Sequence, residues 1–174
     1  MKIFISSTFI DLIDHRAVVA EALERMNLSI GRMEVIGAKP QEPKEACLSL
    51  LDDCEVFVGI YAYRYGFIPD GDDKSITEQE YDFAKQKNKD MFCFLIDENE
   101  AWIPKFIEDG PGREKLISFK GRIKAEFAVD FFTKPADLAY KVSTSLSSFI
   151  TKKYVTTQPP PTSKGGLENT KSKR

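Results

Sequence analysis

Two segments of this chain, Val56–Tyr61 and Met91–Ile96, are nearly unbroken apolar runs, each only six residues long. Short runs that do not alternate with polar residues suit strands buried on both faces, as in a parallel sheet covered by helices. Helical patterns lie between and around them. Leu12, Val19, Leu23 and Met26 form one stripe between Asp11 and Met26. Pro43 opens a second helix with Cys47, Leu50, Leu51 and Cys54 on one face, proline being favoured at a first helical position. Ile76–Asn88 is a third, and Ala136–Tyr154 a last one with Leu138, Val142, Leu146 and Ile150 aligned. This alternation predicts a parallel sheet with right-handed crossovers. Its strands are expected at about 2–6, 28–34, 55–61, 90–97 and 127–132.

The segment Asp97–Lys124 breaks the rhythm with Trp102, Pro104 and Gly110–Pro111–Gly112, then reads as a helix from Arg113 to about Ala125. Residues 1–154 are expected to form one α/β domain. Residues 155–174, rich in Pro, Gly, Ser, Thr and Lys, are expected to be a disordered tail or linker, since such a composition cannot offset its ordering entropy by apolar burial.

Composition removes several function classes. A net charge of −2 with 30% charged residues argues against a nucleic-acid binder, which carries a strong basic excess. No apolar run approaches the roughly 20 residues needed to cross a bilayer, so no membrane partner is expected. Three cysteines without a CxxC and a single histidine give no zinc spacing and little room for metal or triad chemistry. Reduced thiols and a cytoplasmic location are the expectation.

In an open parallel sheet, ligands bind beyond the carboxyl ends of the strands. Ser6, Ser7, Thr8 and Phe9 follow the first strand; their hydroxyls and free N–H groups suit a phosphate, or a helix cap. Arg16 lies on an apolar stripe and needs an anionic partner, within the protein or on a ligand. Glu34 follows the second strand, where dinucleotide-binding sheets often hold ribose hydroxyls, although no GxGxxG is present. His15 reads as solvated on a polar helix face. Tyr61, Tyr63 and Arg64 end the third strand and suit either a ring-stacking wall or packing beneath a loop.

Ser75–Tyr81 opens the third helix. Ser75 with Glu78 and Thr77 with Glu80 are competing capping boxes. The Thr77 start is favoured, because it also pairs Ile76 with Tyr81 as a hydrophobic staple. A carboxylate here can also stabilise, or attack, the oxocarbenium-like centre formed when a ribose–base bond breaks.

Phe4–Phe9 with Asp11–Leu12 and Arg16, Met33–Glu34, Cys47–Leu48, Tyr63–Gly66 and Ser75–Tyr81 together resemble the family called domain of unknown function 4062, over about residues 2–150. That family is similar to Toll/interleukin-1 receptor (TIR) domains and nucleoside 2-deoxyribosyltransferases. The resemblance implies a flavodoxin-like three-layer sandwich with strand order 2-1-3-4-5. It also implies a setting beside NTPase or repeat proteins in defence-type, antiviral signalling. Glu80–Ala84 is similar to the deoxyribosyltransferase run whose glutamate is the nucleophile, which puts Glu80 in that role and Glu78 as its substitute. Asp82 stands where that run has glycine, and His15 stands where an acidic residue usually precedes the arginine. The function expected is nucleotide binding, with NAD or a related nucleotide as substrate rather than cofactor, and N-glycosidic cleavage as the reaction. Ser6, Ser7, Phe9, Arg16, Glu34, Tyr61, Tyr63 and Arg64 are the expected ligand contacts. The alternatives are a non-catalytic TIR-like module that assembles with itself or a partner, and a degenerate scaffold.

Overall fold

The computed structural model describes residues 1–31 and 43–155. The strands β1 (Lys2–Ser6), β2 (Ser29–Gly31), β3 (Val56–Tyr61), β4 (Asp90–Ile96) and β5 (Asp130–Phe132) form one sheet in the order β2-β1-β3-β4-β5. Every neighbouring pair is parallel. The helices are α1 (Ile13–Arg25), α2 (Pro43–Asp52), α3 (Ile76–Gln86), α4 (Gly110–Glu126) and α5 (Pro135–Val155), with a 3-10 turn at Pro104–Phe106. The expected flavodoxin-like order is therefore the one observed.

Alternation along the strands divides the core in two. Ile3, Ile5, Val58 and Ile60 pack with Leu12, Val19 and Leu23 of the α1 segment and with Leu138, Val142 and Leu146 of α5. On the other face Phe4, Phe57 and Tyr61 meet Cys47 and Leu51 of α2, Tyr81 of α3, and Phe119 and Ile123 of α4. All six residues of β3 are buried, which is why that run shows no polar alternation. No helix among the described residues is long and apolar enough to cross a membrane.

Four details differ from expectation. β5 starts at Asp130 rather than 127 because Phe127 caps the C-terminus of α4 and packs, with Val129, into the second core. Gly110 and Pro111 open α4 instead of breaking the chain before it, in keeping with proline's fitness for a first turn. The cap of α3 is Ser75, whose side chain accepts from the Glu78 N–H; Thr77 lies in the first turn. His15 is buried rather than solvated, with ring centroids 5.4 Å from both Trp102 and Phe132. Residues 32–34 of the expected second strand, Glu34 among them, lie outside the described residues, as do residues 156–174 of the expected tail; Val155 closes α5.

Candidate functional site

The chain leaves β1 toward β2 on one side and β3 on the other, so the sheet's switch point lies between the carboxyl ends of β1 and β3. A cleft of about 350 Å³ opens there. Ser7, Thr8 and Phe9 line it from the loop after β1, Arg16 from α1 and Cys47 from α2. Arg64 and Gly66 contribute from the loop after β3, and Thr77 and Glu80 from α3. The two loops touch at Gly66. Its φ of +96° belongs to the left-handed region, and a Cβ there would come within 3.1 Å of Thr8 Cγ2.

Glu80 is the most constrained polar group of the cleft. It is only 5% exposed, and two side chains from other elements hold its carboxylate. Ser6 Oγ donates to Oε2 at 2.5 Å and Cys47 Sγ donates to Oε1 at 2.5 Å. β1 supplies the serine because its even-numbered residues, Phe4 and Ser6, face the side of the sheet that α2 and α3 cover. Arg16 is buried as well; its Nη1 donates to Ser7 Oγ at 2.6 Å, and its guanidinium carbon lies 6.0 Å from the Phe9 ring centroid. Arg64, half-buried, forms no ion pair among the described residues.

Glu78 is turned elsewhere. Residues two apart on a helix lie about 200° apart around its axis, so Glu78 and Glu80 cannot share a face. Tyr65 Oη donates to Glu78 Oε2 at 2.5 Å, and Arg122 of α4 donates to Oε1 at 2.7 Å. The same guanidinium grips Asp82 at 2.7 Å. Asp82 thus ties α3 to α4. Burial together with the Glu78 hydrogen bond pushes the Tyr65 hydroxyl up to about 12.

Of the remaining expected contacts, the tyrosines lie outside the cleft lining. Tyr61 is a core residue whose hydroxyl folds back over Gly59, 2.3 Å from where a Cβ would sit. That hydroxyl faces Ser6 without completing a hydrogen bond, and burial raises its pKa well above the usual value. Tyr63 donates to the Glu98 carbonyl at 3.3 Å and lines a different cavity. Successive residues of a strand point to opposite faces, so a Tyr-X-Tyr pattern need not place both rings at one site once the strand ends between them.

Two residues named in the motif resemblance without a site role are Cys47, which lines the cleft, and Asp11, which lines the neighbouring cavity. In the sequence Cys47 reads as a core thiol, because its neighbours on the helix face are leucines. Asp11 is 8% exposed and sits beside Thr8; burial raises its pKa, while Thr8, Arg64 and His15 pull it down. A carboxylate one residue before an apolar stripe looks like an ordinary helix-start residue, and only the fold shows its burial. No group of three or more His, Cys, Asp or Glu residues is arranged to hold a metal ion among the described residues.

None of the curated proteins matches the chain. Among solved structures, the fold is similar to that of the Clostridium botulinum CMP N-glycosidase BcmB, with a TM-score of 0.51 and 11% identity, covering 83% of this chain and 99% of that one. At such identity the likeness is one of fold. The model of the family described as domain of unknown function (DUF4062) matches residues 2–147, and the chain belongs to that family.

Proposed function

We propose that this protein binds a nucleotide in the cleft between β1 and β3 and cleaves its N-glycosidic bond, with Glu80 as the catalytic carboxylate. The observation that carries the reading is the Glu80 carboxylate itself, buried at the switch point with one oxygen held by Ser6 and the other by Cys47. A carboxylate fixed in this way can attack the anomeric carbon or balance the positive charge that develops there. As the C1′–N bond breaks, its electron pair leaves with the base. Water then adds to C1′, displacing the Glu80 carboxylate where it has bonded there, and gives its proton to the base. Arg16 and Arg64 line the same cleft and suit the phosphate, helped by the N–H groups ahead of α1. Phe9 and Phe67, on the cleft wall, offer flat faces to the base. The similarity in fold to a CMP N-glycosidase supports a nucleotide as the substrate class; NAD and related nucleotides belong to it. The test is incubation of the protein with NAD and a panel of pyrimidine and purine nucleotides, followed by chromatography for free base. Base released from at least one substrate is expected.

A second reading, assembly with other copies or a partner, draws on exposed apolar side chains at and beside the cleft mouth. Phe9, Ile10, Ile13 and Phe67 are 48–70% exposed, more than chance scatter requires of four neighbouring large residues. Sedimentation of wild type and Ile10→Lys across a concentration series tests it: self-association in the first and a monomer in the second.

A further inference from the structure

Beyond the carboxyl ends of β3 and β4 lies a larger cavity, about 790 Å³, that shares no lining residue with the Glu80 cleft. Two aromatic rings line it, Tyr63 and Trp102, with centroids 5.8 Å apart and planes at 55°. From α4, Arg113, Lys120 and Lys124 reach it along one helical stripe. The charges there are unevenly paired. Lys124 lies 3.5 Å from Glu98, and Glu108 accepts from the Tyr65 N–H at 2.9 Å. Neither Lys120 nor Arg113 has an ion-pair partner among the described residues. The Lys120 ammonium sits 5.2 Å from the Tyr63 ring centroid. Burial brings its pKa down to about 8, partly countered by Glu98 and added to by Lys124.

Glu98, Glu100 and Glu108 line the same cavity, yet none forms an ion pair with Lys120. A half-buried ammonium with no direct partner is costly, and beside two rings it makes a site for a particular chemistry. We propose that this cavity is a second ligand site, for a flat aromatic ring bearing one anionic group, with the ring against Tyr63 and Trp102 and the anion on Lys120. Ring and cation then act together: the rings take the apolar face, and the anion supplies the direct ion pair that Lys120 lacks. The site is independent of the nucleotide reading, since it uses none of the residues around Glu80.

Trp102 is the chain's one tryptophan and lines both this cavity and a smaller one beside His15, so quenching that depends on Lys120 reports occupancy here. The probe is para-nitrophenyl phosphate, whose ring quenches indole emission. Para-nitrobenzyl alcohol supplies the ring without charge, and inorganic phosphate the charge without a ring. Saturable quenching by the probe is expected, with the neutral ring at least about tenfold weaker, the loss of one desolvated charge contact. Lys120→Met should weaken the probe by about tenfold or more, while Lys120→Arg stays within a few-fold. Probe affinity should also fall as pH rises through about 8, where Lys120 loses its proton. Glu80→Gln should bind the probe as wild type does. Linear, unsaturable quenching, or a Lys120→Met protein that binds as wild type, would overturn the proposal. So would loss of binding in Glu80→Gln, which would place the probe in the other cleft.

Discussion

Ser6 at the end of β1 and Glu80 in the second turn of α3, 74 positions apart in sequence, meet in a buried hydrogen bond of 2.5 Å. The pairing Ser6↔Gly59 in the β1–β3 ladder sets the height of the serine, and the Ser75 cap sets where α3 begins. Ser6→Ala leaves Oε2 of a buried carboxylate short of a donor. We expect it to cost about 1–3 kcal/mol of folding stability and to lower turnover by about tenfold or more. Denaturant melts and base-release rates measure the two effects. Unchanged stability would mean that water replaces the serine.

Tyr61 makes the opposite case. Its hydroxyl is buried with no completed hydrogen bond, so Tyr61→Phe removes a polar group that gains nothing from the fold. Stability should be unchanged or higher, within about 1 kcal/mol. A larger loss would show that the hydroxyl does bond Ser6.

Gly66 and Gly71 both have positive φ, +96° and +82°. A Cβ at Gly71 meets nothing within 4 Å, whereas one at Gly66 presses on Thr8 and Thr77. Alanine at either site carries the left-handed strain, about 1–2 kcal/mol. Only Gly66→Ala should additionally displace the loop after β1 and impair the cleft. Equal melting temperatures and equal activities in the two variants would refute the contact.

Lys120 gives a pH signature. Its pKa is lowered from 10.5 to about 8 by burial, so in the window between those values the unfolded chain holds more protons than the folded one. Stability from this group therefore rises with pH across the window, and the ammonium opposes folding fully below it. Lys120→Met should raise the melting temperature at pH 7, with the gap closing as pH climbs from about 8 toward about 10.5. A constant gap would mean the lysine is solvated.

The sheet was legible because its information is local. Double-sided apolarity in Val56–Tyr61 and Met91–Ile96 needs no knowledge of the rest of the chain, and helices between such runs leave few topologies. The site was only partly legible. Ser6, Ser7 and Glu80 follow from strand ends and motif resemblance, and the geometry brings them to one place. The Glu78–Glu80 distinction rests on which neighbours each face finds, Arg122 and Tyr65 on one side, Ser6 and Cys47 on the other. His15 misled because the residues that bury it, Trp102 and Phe132, arrive from late in the chain. Cys47 was hidden among leucines, since a thiol that packs and a thiol that donates look alike in sequence.

The central claim is that Glu80, and not Glu78, carries the chemistry. The most direct measurement compares base release by wild type, Glu80→Gln and Glu78→Gln on the same nucleotide, at concentrations high enough to permit assembly. Glutamine keeps the size of each side chain and one of its two acceptor oxygens, but it can neither attack C1′ nor balance charge on the sugar. The account predicts that Glu80→Gln folds and releases base orders of magnitude more slowly. Glu78→Gln, which weakens the contacts with Arg122, Lys74 and Tyr65, should stay within about tenfold of wild type in activity and lose about 1–3 kcal/mol of stability. Activity that survives Glu80→Gln, or that is lost only in Glu78→Gln, would contradict it.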